Sequence, residues 1–321
     1  MSRVLVTGGA GTIGAAVVRR LAGEPSFEVR VSDQREAPAW MRESCEVHTG
    51  NLLLADEART AVNGCSHVIH LAAIVGGIAN FHKLPHTLLE VNNGLYNAVF
   101  RAALDARVER LLYVSSSMVF ENATEFPTTE EHLRSCPAPW SAYGFSKLAG
   151  EVYCRALHDE HGLPYTICRP FNAYGPGELP DPEPGIAHAV PDLINKVLSG
   201  QKPLEIFGSG EQTRTLTHVS DIADGIVTAL DHPAAAGEDF NISASDERTV
   251  AQIAEIIWTA CGRDPGEFEL RHLPTFEVDV ERRWPSVDKA RTLIGWEAQI
   301  DLETGIADTV SWLREQEGVA R

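Results

Sequence analysis

The sequence of 321 residues predicts an α/β fold, built on a doubly wound parallel sheet with a smaller C-terminal region. Three observations support this fold class. Short runs rich in β-branched residues alternate with helical patterns in the first half, as in a parallel sheet with helices on both faces. The first run leads straight into a glycine-rich turn, TGGAGTIG, that opens a helical pattern. After Pro170 the alternation gives way to NAYGPGELPDPEPGIAHAVP, which is loop-like because it is rich in glycine and proline.

The predicted strands of the first half are short and mostly apolar. They are Val4–Thr7, Glu28–Ser32, Cys45–Thr49, His67–Leu71, Leu111–Ser115 and Tyr165–Arg169. Helical patterns between them include Ile13–Gly23, His86–Ala106 and Ala142–His161. This alternation predicts a first domain over residues 1–170, and the glycine turn within it is the first indication that this domain binds a dinucleotide.

The second half contains smaller elements. Helical patterns there include Pro191–Leu198, Ile222–Leu230, Val250–Cys261 and Leu302–Gln316. We predict that residues 171–321 mainly form a substrate-binding region over the end of the sheet, and that some of its elements return to the first domain.

The composition argues against several classes of partner. The net charge of −18 disfavours nucleic acid and anionic membranes, because phosphate-rich surfaces bind basic faces. The six cysteines lack CxxC spacing, which argues against a zinc site or a disulfide framework and fits a reducing compartment. No apolar run is long enough to span a bilayer, and no signal-peptide pattern is present. We therefore expect a cytoplasmic protein. We expect no metal site, because no carboxylate or cysteine completes a ligand set with the histidines.

The glycine turn places Gly8, Gly11 and Gly14 at three-residue spacing after a strand. Glycine lets such a turn close and lets the backbone approach a pyrophosphate, which the helix N-terminus then stabilises. Thr12 and Ile13 would lie against the same group. The spacing differs from the usual G-x-G-x-x-G form, so a purely structural turn is the alternative.

Two polar residues at the ends of the next strands favour a Rossmann-type dinucleotide site. Asp33 ends the second strand, about 20 residues after the turn, where a carboxylate accepts hydrogen bonds from a ribose diol and repels a 2′-phosphate. Asn51 follows the third strand, where its amide can meet the adenine edge. These positions favour NAD over NADP, although Arg35 is close by. The alternative for Asp33 alone is a structural turn residue.

Tyr143 and Lys147 lie four residues apart in YGFSK, within a helical pattern, and so share one helix face. By themselves they would fit a core tyrosine and a lysine that extends to solvent. The glycine turn upstream and the serine-rich strand end, VSSS, favour a joint catalytic role instead.

These motifs together resemble the extended short-chain dehydrogenase/reductase family, in its group of nucleotide-sugar epimerases, dehydratases and reductases. The resemblance is carried by TGGAGTIG, HLAA (70–73), VSSS (114–117), YGFSK (143–147) and RPFNAYGPGE (169–178), and it runs along nearly the whole chain. It implies a Rossmann-type fold and an NAD cofactor. It also implies that Leu52, Leu71, Ala72 and Ala73 line the cofactor.

The resemblance implies roles for three residues. Tyr143 would be the general base that takes a sugar hydroxyl proton, and Ser116 would hydrogen-bond the reacting oxygen. An ordinary phenol has a pKa near 10, and we expect the Lys147 ammonium and the nicotinamide charge to lower it. Lys147 would also bind the nicotinamide ribose.

The residues after Ser116 separate the reactions of this group. Related 4,6-dehydratases carry an Asp-Glu pair at the positions of Ser117 and Met118, and related decarboxylases keep a glutamate at the second position. Met118 has no ionisable group, so it cannot move a proton. Related 3,5-epimerising enzymes need a cysteine at Met118, and one of them also uses a histidine after the YGP motif, where we find Gly177. Chemistry that needs only NAD, a serine and a tyrosine remains, and C4 epimerisation through a 4-keto sugar fits best.

Two other functions stay open, and Met118 disfavours a 4,6-dehydratase or a decarboxylase without excluding either. An NAD(P)H-dependent reductase of a keto sugar would use the same three residues but would exchange its cofactor. A dinucleotide-binding protein without turnover is the third alternative, although such relatives usually lose the Tyr/Lys pair.

The resemblance also assigns the substrate side, which we expect to hold a nucleotide-diphosphate sugar. Ser117 and Met118 would lie beside the sugar, and Asn172 and Arg214 would contact the diphosphate, for which a guanidinium is well suited. Arg282 or Arg283 would add a second cation. That choice stays open because Phe276–Asp279 replaces the usual Arg-Pro-Gly-Asp pattern.

Some further expectations concern other side chains and assembly. His70 would end a strand, His82 and His86 are candidates for the sugar pocket, and Trp140 and Phe120 fit either the sugar site or the core. By analogy with relatives, helices within 86–106 and 142–161 predict a homodimer.

Overall fold

The computed structural model describes residues 2–75, 83–183, 186–275 and 280–319. Its strands are β1 (Ser2–Thr7), β2 (Phe27–Asp33), β3 (Glu46–Thr49), β4 (His67–His70), β5 (Arg110–Val114), β6 (Tyr165–Pro170), β7 (Ala173–Tyr174), β8 (Leu204–Phe207), β9 (Thr213–Thr215), β10 (Thr217–His218), β11 (Asp239–Ile242), β12 (Glu247–Thr249), β13 (Leu270–Leu273) and β14 (Arg282–Arg283).

The α-helices of the described chain are α1 (Thr12–Ala22), α2 (Ala39–Ser44), α3 (Ala55–Val62), α4 (Pro85–Leu95), α5 (Arg101–Asp105), α6 (Ala142–His161), α7 (Ala189–Leu198), α8 (Val219–Asp231), α9 (Val250–Ala260), α10 (Asp288–Leu293) and α11 (Leu302–Val319). A π-helical turn, Tyr96–Phe100, joins α4 to α5, and short 3-10 turns occur at Ser117–Phe120, Glu130–Arg134, Pro233–Ala235 and Pro265–Glu267. No helix in the described ranges combines the length and the apolar character that a bilayer crossing requires.

The central sheet has seven strands in the order β11-β6-β5-β4-β1-β2-β3, and its paired strands are parallel. The chain builds outward from β1 to β3, then crosses back to β4 on the other side of β1. This confirms the predicted doubly wound α/β fold. Ligands of such sheets bind beyond the carboxyl ends of the strands, where the strand order reverses.

Two cores cover the two faces of the sheet. Val4 and Val6 face one core, which also contains α1 and α8 residues such as Val18 and Ile226. Leu5, between them, faces the opposite core with residues of α3 to α6. This alternation follows from the two-residue period of a strand. Each fully buried Val or Leu side chain contributes about 1.5–3 kcal/mol, so the sheet gives a rigid base for the loops at its end.

Later parts of the chain join this sheet. β11 pairs with β6 in parallel, and α8 packs in the same core as α1. A third core joins α7, β8, α9 and α11 in the C-terminal half. The domain boundary at residue 170 stays a prediction.

Helix α6 has the predicted bounds, and its ends show why. The Ser141 side chain accepts a hydrogen bond from Gly144 N–H at the start, and Gly162 ends the helix with a φ of 73°. The helix predicted over His86–Ala106 is interrupted, because the π-helical turn separates α4 from α5. The strands predicted to reach Leu71 and Ser115 end one residue earlier.

Candidate active site

A cleft of about 1330 Å³ lies at the carboxyl ends of the central strands and is also lined by residues of the C-terminal half. Of the site residues expected from sequence, those that line it are Gly8, Gly11, Thr12, Ile13, Gly14, Asp33, Asn51, Leu52, Leu71, Ala72, Ala73, Ser116, Ser117, Met118, Tyr143, Lys147, Asn172, Arg214 and Arg283. The fold thus brings together residues from both halves of the chain.

Arg282, one of the two arginines expected as alternatives beside the substrate, is not part of the cleft lining. Its guanidinium binds both carboxylate oxygens of Glu247, at 2.7 and 2.8 Å, and lies over the rings of Phe126 and Trp284. Neighbouring residues of a strand point to opposite sides, so only Arg283 reaches the cleft. Of the two arginines that the sequence left open, Arg283 is therefore the candidate.

The glycine turn is tightly packed and leaves the start of α1 open. Gly8 has a φ of 69°, and a Cβ on Gly14 would lie 2.2 Å from the Gly8 carbonyl oxygen, so larger residues do not fit. Gly11, the N-cap of α1, supplies no side-chain cap to the first N–H groups. The first turn of α1 has no acidic residue. These features fit the pyrophosphate of a dinucleotide.

Asp33 lies at the end of β2 beside this turn. Its Oδ2 accepts a hydrogen bond from Ala10 N–H at 3.0 Å, and its Oδ1 accepts one from Arg35 N–H at 2.9 Å. The Arg35 guanidinium also reaches both carboxylate oxygens at 3.3 Å. The Gln34 amide donates to Asn51 Oδ1 at 3.0 Å. A carboxylate and an amide are thus fixed where the adenosine half of a dinucleotide binds in this fold.

The serine, the tyrosine and the lysine converge beyond β5. The Tyr143 hydroxyl is hydrogen-bonded to Ser116. Ser116 is the N-cap of the turn Ser117–Phe120, and its Oγ accepts a hydrogen bond from Met118 N–H at 3.2 Å. Lys147 Nζ donates to the Val114 carbonyl oxygen at 3.0 Å. The geometry provides a phenol with a hydroxyl partner and a cation one turn away.

The protein alone does not lower the pKa of Tyr143. Burial raises this pKa to about 12, while the hydrogen bond with Ser116 and the charge of Arg283 act in the opposite direction. Burial also lowers the pKa of Lys147 to about 8, against the charge of Glu151. The expectation that Lys147 lowers the phenol pKa is therefore not met in the protein without its cofactor. Burial disfavours the phenolate, and burial is not visible in a sequence motif.

A buried ion network supports this site from behind. Glu151, one turn after Lys147, accepts hydrogen bonds from the Ser115 hydroxyl and from Arg169, both at 2.7 Å. Arg169 also donates to Asp239 on the edge strand β11 at 2.6 Å. Glu151 and Arg169 have no exposed side-chain surface. The network joins α6 to β5, β6 and β11, and so fixes the strand end that precedes Ser116.

Arg283 lies at the reacting end of the cleft. Its Nη1 donates to Asn172 Oδ1 at 3.1 Å, and its Nη2 contacts Met118 Sδ. Asn172 has a φ of 40°, and its Nδ2 donates to the Thr215 carbonyl oxygen at 2.9 Å. Arg214 pairs with Arg283 across β9 and β14 and lines the same cleft. The two guanidinium groups suit a diphosphate.

Glu178 and His188 form a pair in the cleft that sequence reasoning missed. His188 Nδ1 lies 2.7 Å from Glu178 Oε1, which also accepts a hydrogen bond from His188 N–H at 2.9 Å. Burial alone would lower the pKa of His188, but Glu178 raises it above the usual value, and His188 lowers the pKa of Glu178. The cleft therefore contains a histidine although Gly177 stands directly after the YGP motif. Glu178 ends the RPFNAYGPGE stretch, but no motif pairs it with His188, because the two residues lie ten positions apart in loop sequence.

Other expected residues lie apart from the cleft or outside the described residues. His86 is exposed, and its Nδ1 lies 3.8 Å from Glu90 Oε2. Phe120 is buried against Phe171. Trp140 lines the cleft, and His70 ends β4 as expected. His82 and Phe276–Asp279 lie outside the described residues. Within the described ranges, no cluster of His, Cys, Asp or Glu has the form of a metal site.

Comparisons with known proteins agree with this geometry. A model of the NAD dependent epimerase/dehydratase family matches residues 4–243. The uncharacterized UDP-glucose epimerase YtcB of Bacillus subtilis is 27% identical, over 97% of this chain and 98% of its own. A UDP-N-acetyl-alpha-D-glucosaminuronate decarboxylase of Bacillus cytotoxicus is 29% identical, over 98% of both chains. The crystal structure of UDP-glucuronic acid 4-epimerase from Bacillus cereus, with UDP-glucuronic acid and NAD, superimposes with a TM-score of 0.86 at 26% identity, covering 98% of this chain and 99% of that one.

Proposed function

Because the chain belongs to the NAD-dependent epimerase/dehydratase family, we propose that it inverts C4 of a nucleotide-diphosphate sugar. NAD is the cofactor of this family, and the turn at Gly8–Gly14, Asp33 and Asn51 are the residues that would hold it. The relatives include epimerases and decarboxylases at similar identity, so the proposal depends on the residues of the site itself.

Met118 is the residue that most strongly supports C4 inversion over the other reactions of this family. It stands two residues after Ser116, is buried, and contacts Arg283 through its sulfur. A thioether cannot take or give a proton, so the acid of a dehydratase or a decarboxylase is missing at this position. The Ser116 hydroxyl and the Tyr143 phenol stand next to this position and, together with NAD, are the groups that this reaction uses. These suffice for an inversion in which only O–H and C–H bonds at C4 change.

The residues act in a defined order. Tyr143, as the phenolate that the charge of bound NAD would favour, takes the proton of the C4 hydroxyl, and Ser116 hydrogen-bonds the same oxygen. A bound NAD would supply the group that accepts the C4 hydrogen as hydride and gives it back to the opposite face of the sugar. Tyr143 then gives the proton back to the C4 oxygen, so no atom is gained or lost. Lys147, whose Nζ donates a hydrogen bond to the Val114 carbonyl oxygen, would bind the nicotinamide ribose.

The two arginines of the cleft suit the diphosphate. Arg214 and Arg283 lie on paired strands, and the Asn172 amide is held between Thr215 and Arg283. Bidentate hydrogen bonds from a guanidinium match phosphate oxygens, so these arginines would hold the diphosphate while the keto sugar rotates. The net charge of −18 does not oppose this, because the cations are local.

The test is a panel of UDP-, GDP-, ADP-, CDP- and dTDP-sugars, followed by NMR for inversion at C4. Purified protein should carry bound NAD and should need none added. A keto-sugar reductase is the competing function, and it would instead consume added reduced cofactor. Reduction without inversion would replace the proposal by that alternative.

The Glu178–His188 pair favours a second candidate, inversion at a carbon next to C4. Such chemistry needs an acid and a base that act on carbon, and the pair supplies an imidazole backed by a carboxylate. Deuterated water separates the two reactions. Inversion at C4 by internal hydride return leaves every C–H hydrogen in place, whereas inversion at C3 or C5 introduces deuterium from the solvent.

We also propose a homodimer that forms through α4 and α6. Phe145 and Val152 are seven residues apart on α6, and both are about half exposed, at 50% and 55%. Two turns of helix bring them to the same face, where a partner helix would cover them. Analytical ultracentrifugation that shows a monomer would contradict this assembly.

A further inference from the structure

Trp140 lies open to solvent at the end of the cleft where the reacting residues converge. Its side chain is 83% exposed, more than any other large apolar side chain of the described residues. It lines the same cleft as Ser117 and Met118, and it precedes Tyr143 by three residues. A tryptophan buries about 150–250 Å² when it is covered, so an open one beside a polar reaction centre indicates a surface that a ligand covers.

The backbone beneath this ring is held in place by Glu121. One carboxylate oxygen, Oε2, accepts hydrogen bonds from Trp140 N–H at 3.0 Å and from Ser141 N–H at 2.9 Å. Asn122 adds a bond from its Nδ2 to the Ala138 carbonyl oxygen at 2.7 Å. Glu121 itself is buried and also lines the cleft. Hydrogen bonds to an ionised group are the stronger kind, so the loop that carries Trp140 is positioned before any ligand binds.

The chemistry of this corner fits the ring of a sugar. A pyranose ring has apolar C–H groups on its faces and hydroxyl groups around its rim. An indole ring packs against the C–H groups, while Ser116 and Ser117 line the same cleft as partners for hydroxyls. The dinucleotide-facing residues, by contrast, lie at the ends of β1, β2 and β4. A sugar is therefore the part of the substrate that Trp140 suits.

We propose that Trp140, positioned by Glu121, is the stacking platform for the sugar ring of the substrate. This rests on the nucleotide-sugar substrate proposed above, but not on which carbon is inverted. Dispersion contacts with an aromatic ring have little directional preference. A keto sugar in contact with Trp140 can therefore present either face to the cofactor, while Arg214 and Arg283 hold the diphosphate.

The experiment compares the affinities of UDP-glucose and UDP for the NAD-loaded protein by calorimetry. In the wild type, the glucose moiety should strengthen binding. Trp140→Ala should reduce this gain by roughly threefold to tenfold and leave the affinity for UDP unchanged, whereas Trp140→Phe should retain most of it. Leu179→Ala is the control, because Leu179 is an exposed apolar residue next to Glu178 that is not part of the cleft lining. UDP-glucose should also change tryptophan emission in the wild type but much less in Trp140→Phe.

Glu121 is a positioning residue in this proposal. Glu121→Ala should lose the same sugar-dependent gain, and Glu121→Gln should restore it because an amide oxygen still accepts both N–H groups. The proposal is overturned if the glucose moiety strengthens binding equally in the wild type and in Trp140→Ala. It is also overturned if wild-type protein binds UDP-glucose no more tightly than UDP. Failure to invert C4 would remove the proposed reaction and leave this binding result standing, so the two failures are distinguishable.

Discussion

The ammonium nitrogen of Lys147 lies 6.0 Å from the centre of the Tyr143 ring, one helical turn away on α6. It donates its hydrogen bond to the Val114 carbonyl oxygen rather than to the phenol. Burial meanwhile raises the pKa of Tyr143 to about 12. Lys147 alone therefore does not activate the phenol, and its ammonium group is instead held at the end of β5.

Replacement of the phenol tests its catalytic role directly. Tyr143→Phe keeps the packed ring but removes the group that exchanges the C4 hydroxyl proton, so kcat should fall by about 10²–10⁴. The amount of NAD that copurifies should stay the same. Tyr165→Phe, which changes a tyrosine outside the cleft, should leave kcat unchanged. Turnover by Tyr143→Phe at the wild-type rate would remove Tyr143 from the mechanism.

The ionisation of Tyr143 should depend on the cofactor. A positive charge close to a phenol favours the phenolate, so NAD should shift the pKa of Tyr143 downward from the value of about 12 in the cofactor-free protein. Ultraviolet difference titration of stripped and NAD-loaded protein measures this shift, and Tyr143→Phe supplies the background from the other tyrosines. Identical titrations with and without NAD would contradict the activation by cofactor charge.

The sequence predicted the elements whose signals are local. Helix α6 has its predicted bounds because Ser141 and Gly162 mark its two ends. The interruption of the helix after Leu95 was not predicted, because a π-helical turn leaves the apolar pattern almost unchanged. The pairing of β11 with β6 depends on tertiary packing between distant segments, which no local pattern encodes.

Some residues of the candidate site could likewise be identified from local sequence motifs, and others could not. Motif residues such as Gly8 and Ser116 line the cleft, and their roles there stay predictions. The choice between Arg282 and Arg283 needed the strand pairing of β14, because adjacent strand residues face opposite sides. Glu178 and His188 were missed, since they are ten residues apart in a loop and meet only through its course.

Arg283 and Arg282 form a matched pair for mutation. Arg283→Ala removes a guanidinium at the reacting end of the cleft and should raise KM for the nucleotide sugar by roughly 10- to 100-fold, the loss expected for hydrogen bonds to a charged group. Arg282→Ala removes the ion pair with Glu247 and the contacts with the Phe126 and Trp284 rings, all away from the cleft lining, and should change KM by less than about threefold. Steady-state kinetics measures both. Equal effects of the two variants would contradict the assignment of Arg283 to the substrate.

The affinity for UDP should fall at alkaline pH, because His188 then loses the positive charge that would attract the diphosphate. Glu178 raises the pKa of His188, so the imidazolium persists above the usual titration range and its charge is lost only as the pH rises through the raised pKa. Glu178 and Arg283 are the charged groups that face it, and Arg283 acts to lower the same pKa. Glu178→Gln should therefore begin to lose affinity at a lower pH than the wild type. His188→Gln should lack this step, and calorimetry across the pH range measures all three. An unchanged profile in Glu178→Gln would contradict the coupling.

The buried network behind the site should dominate stability. Arg169 binds both Glu151 and Asp239 without exposed surface, whereas Arg155 approaches the same two carboxylates with 36% of its side chain exposed. Arg169→Met leaves two carboxylates poorly compensated and should lower the free energy of unfolding by about 3–5 kcal/mol. Arg155→Met should cost about 1 kcal/mol or less. Urea denaturation at neutral pH measures both changes.

Asp239 determines how the difference in unfolding free energy between the wild type and Arg169→Met depends on pH. Burial alone would raise the pKa of Asp239, but Arg169 and Lys289 hold it well below its usual range. The ionised Asp239 therefore stabilises the folded wild type at every pH above the carboxyl pKa of the unfolded chain, about 4. As the pH falls below that value, the wild type loses stability, whereas the carboxylates of Arg169→Met become protonated and cost less to bury. The gap in unfolding free energy between the two proteins should therefore narrow from pH 7 to acid pH. A gap that stays constant would show that lost packing over Phe120, rather than charge, accounts for the effect of Arg169.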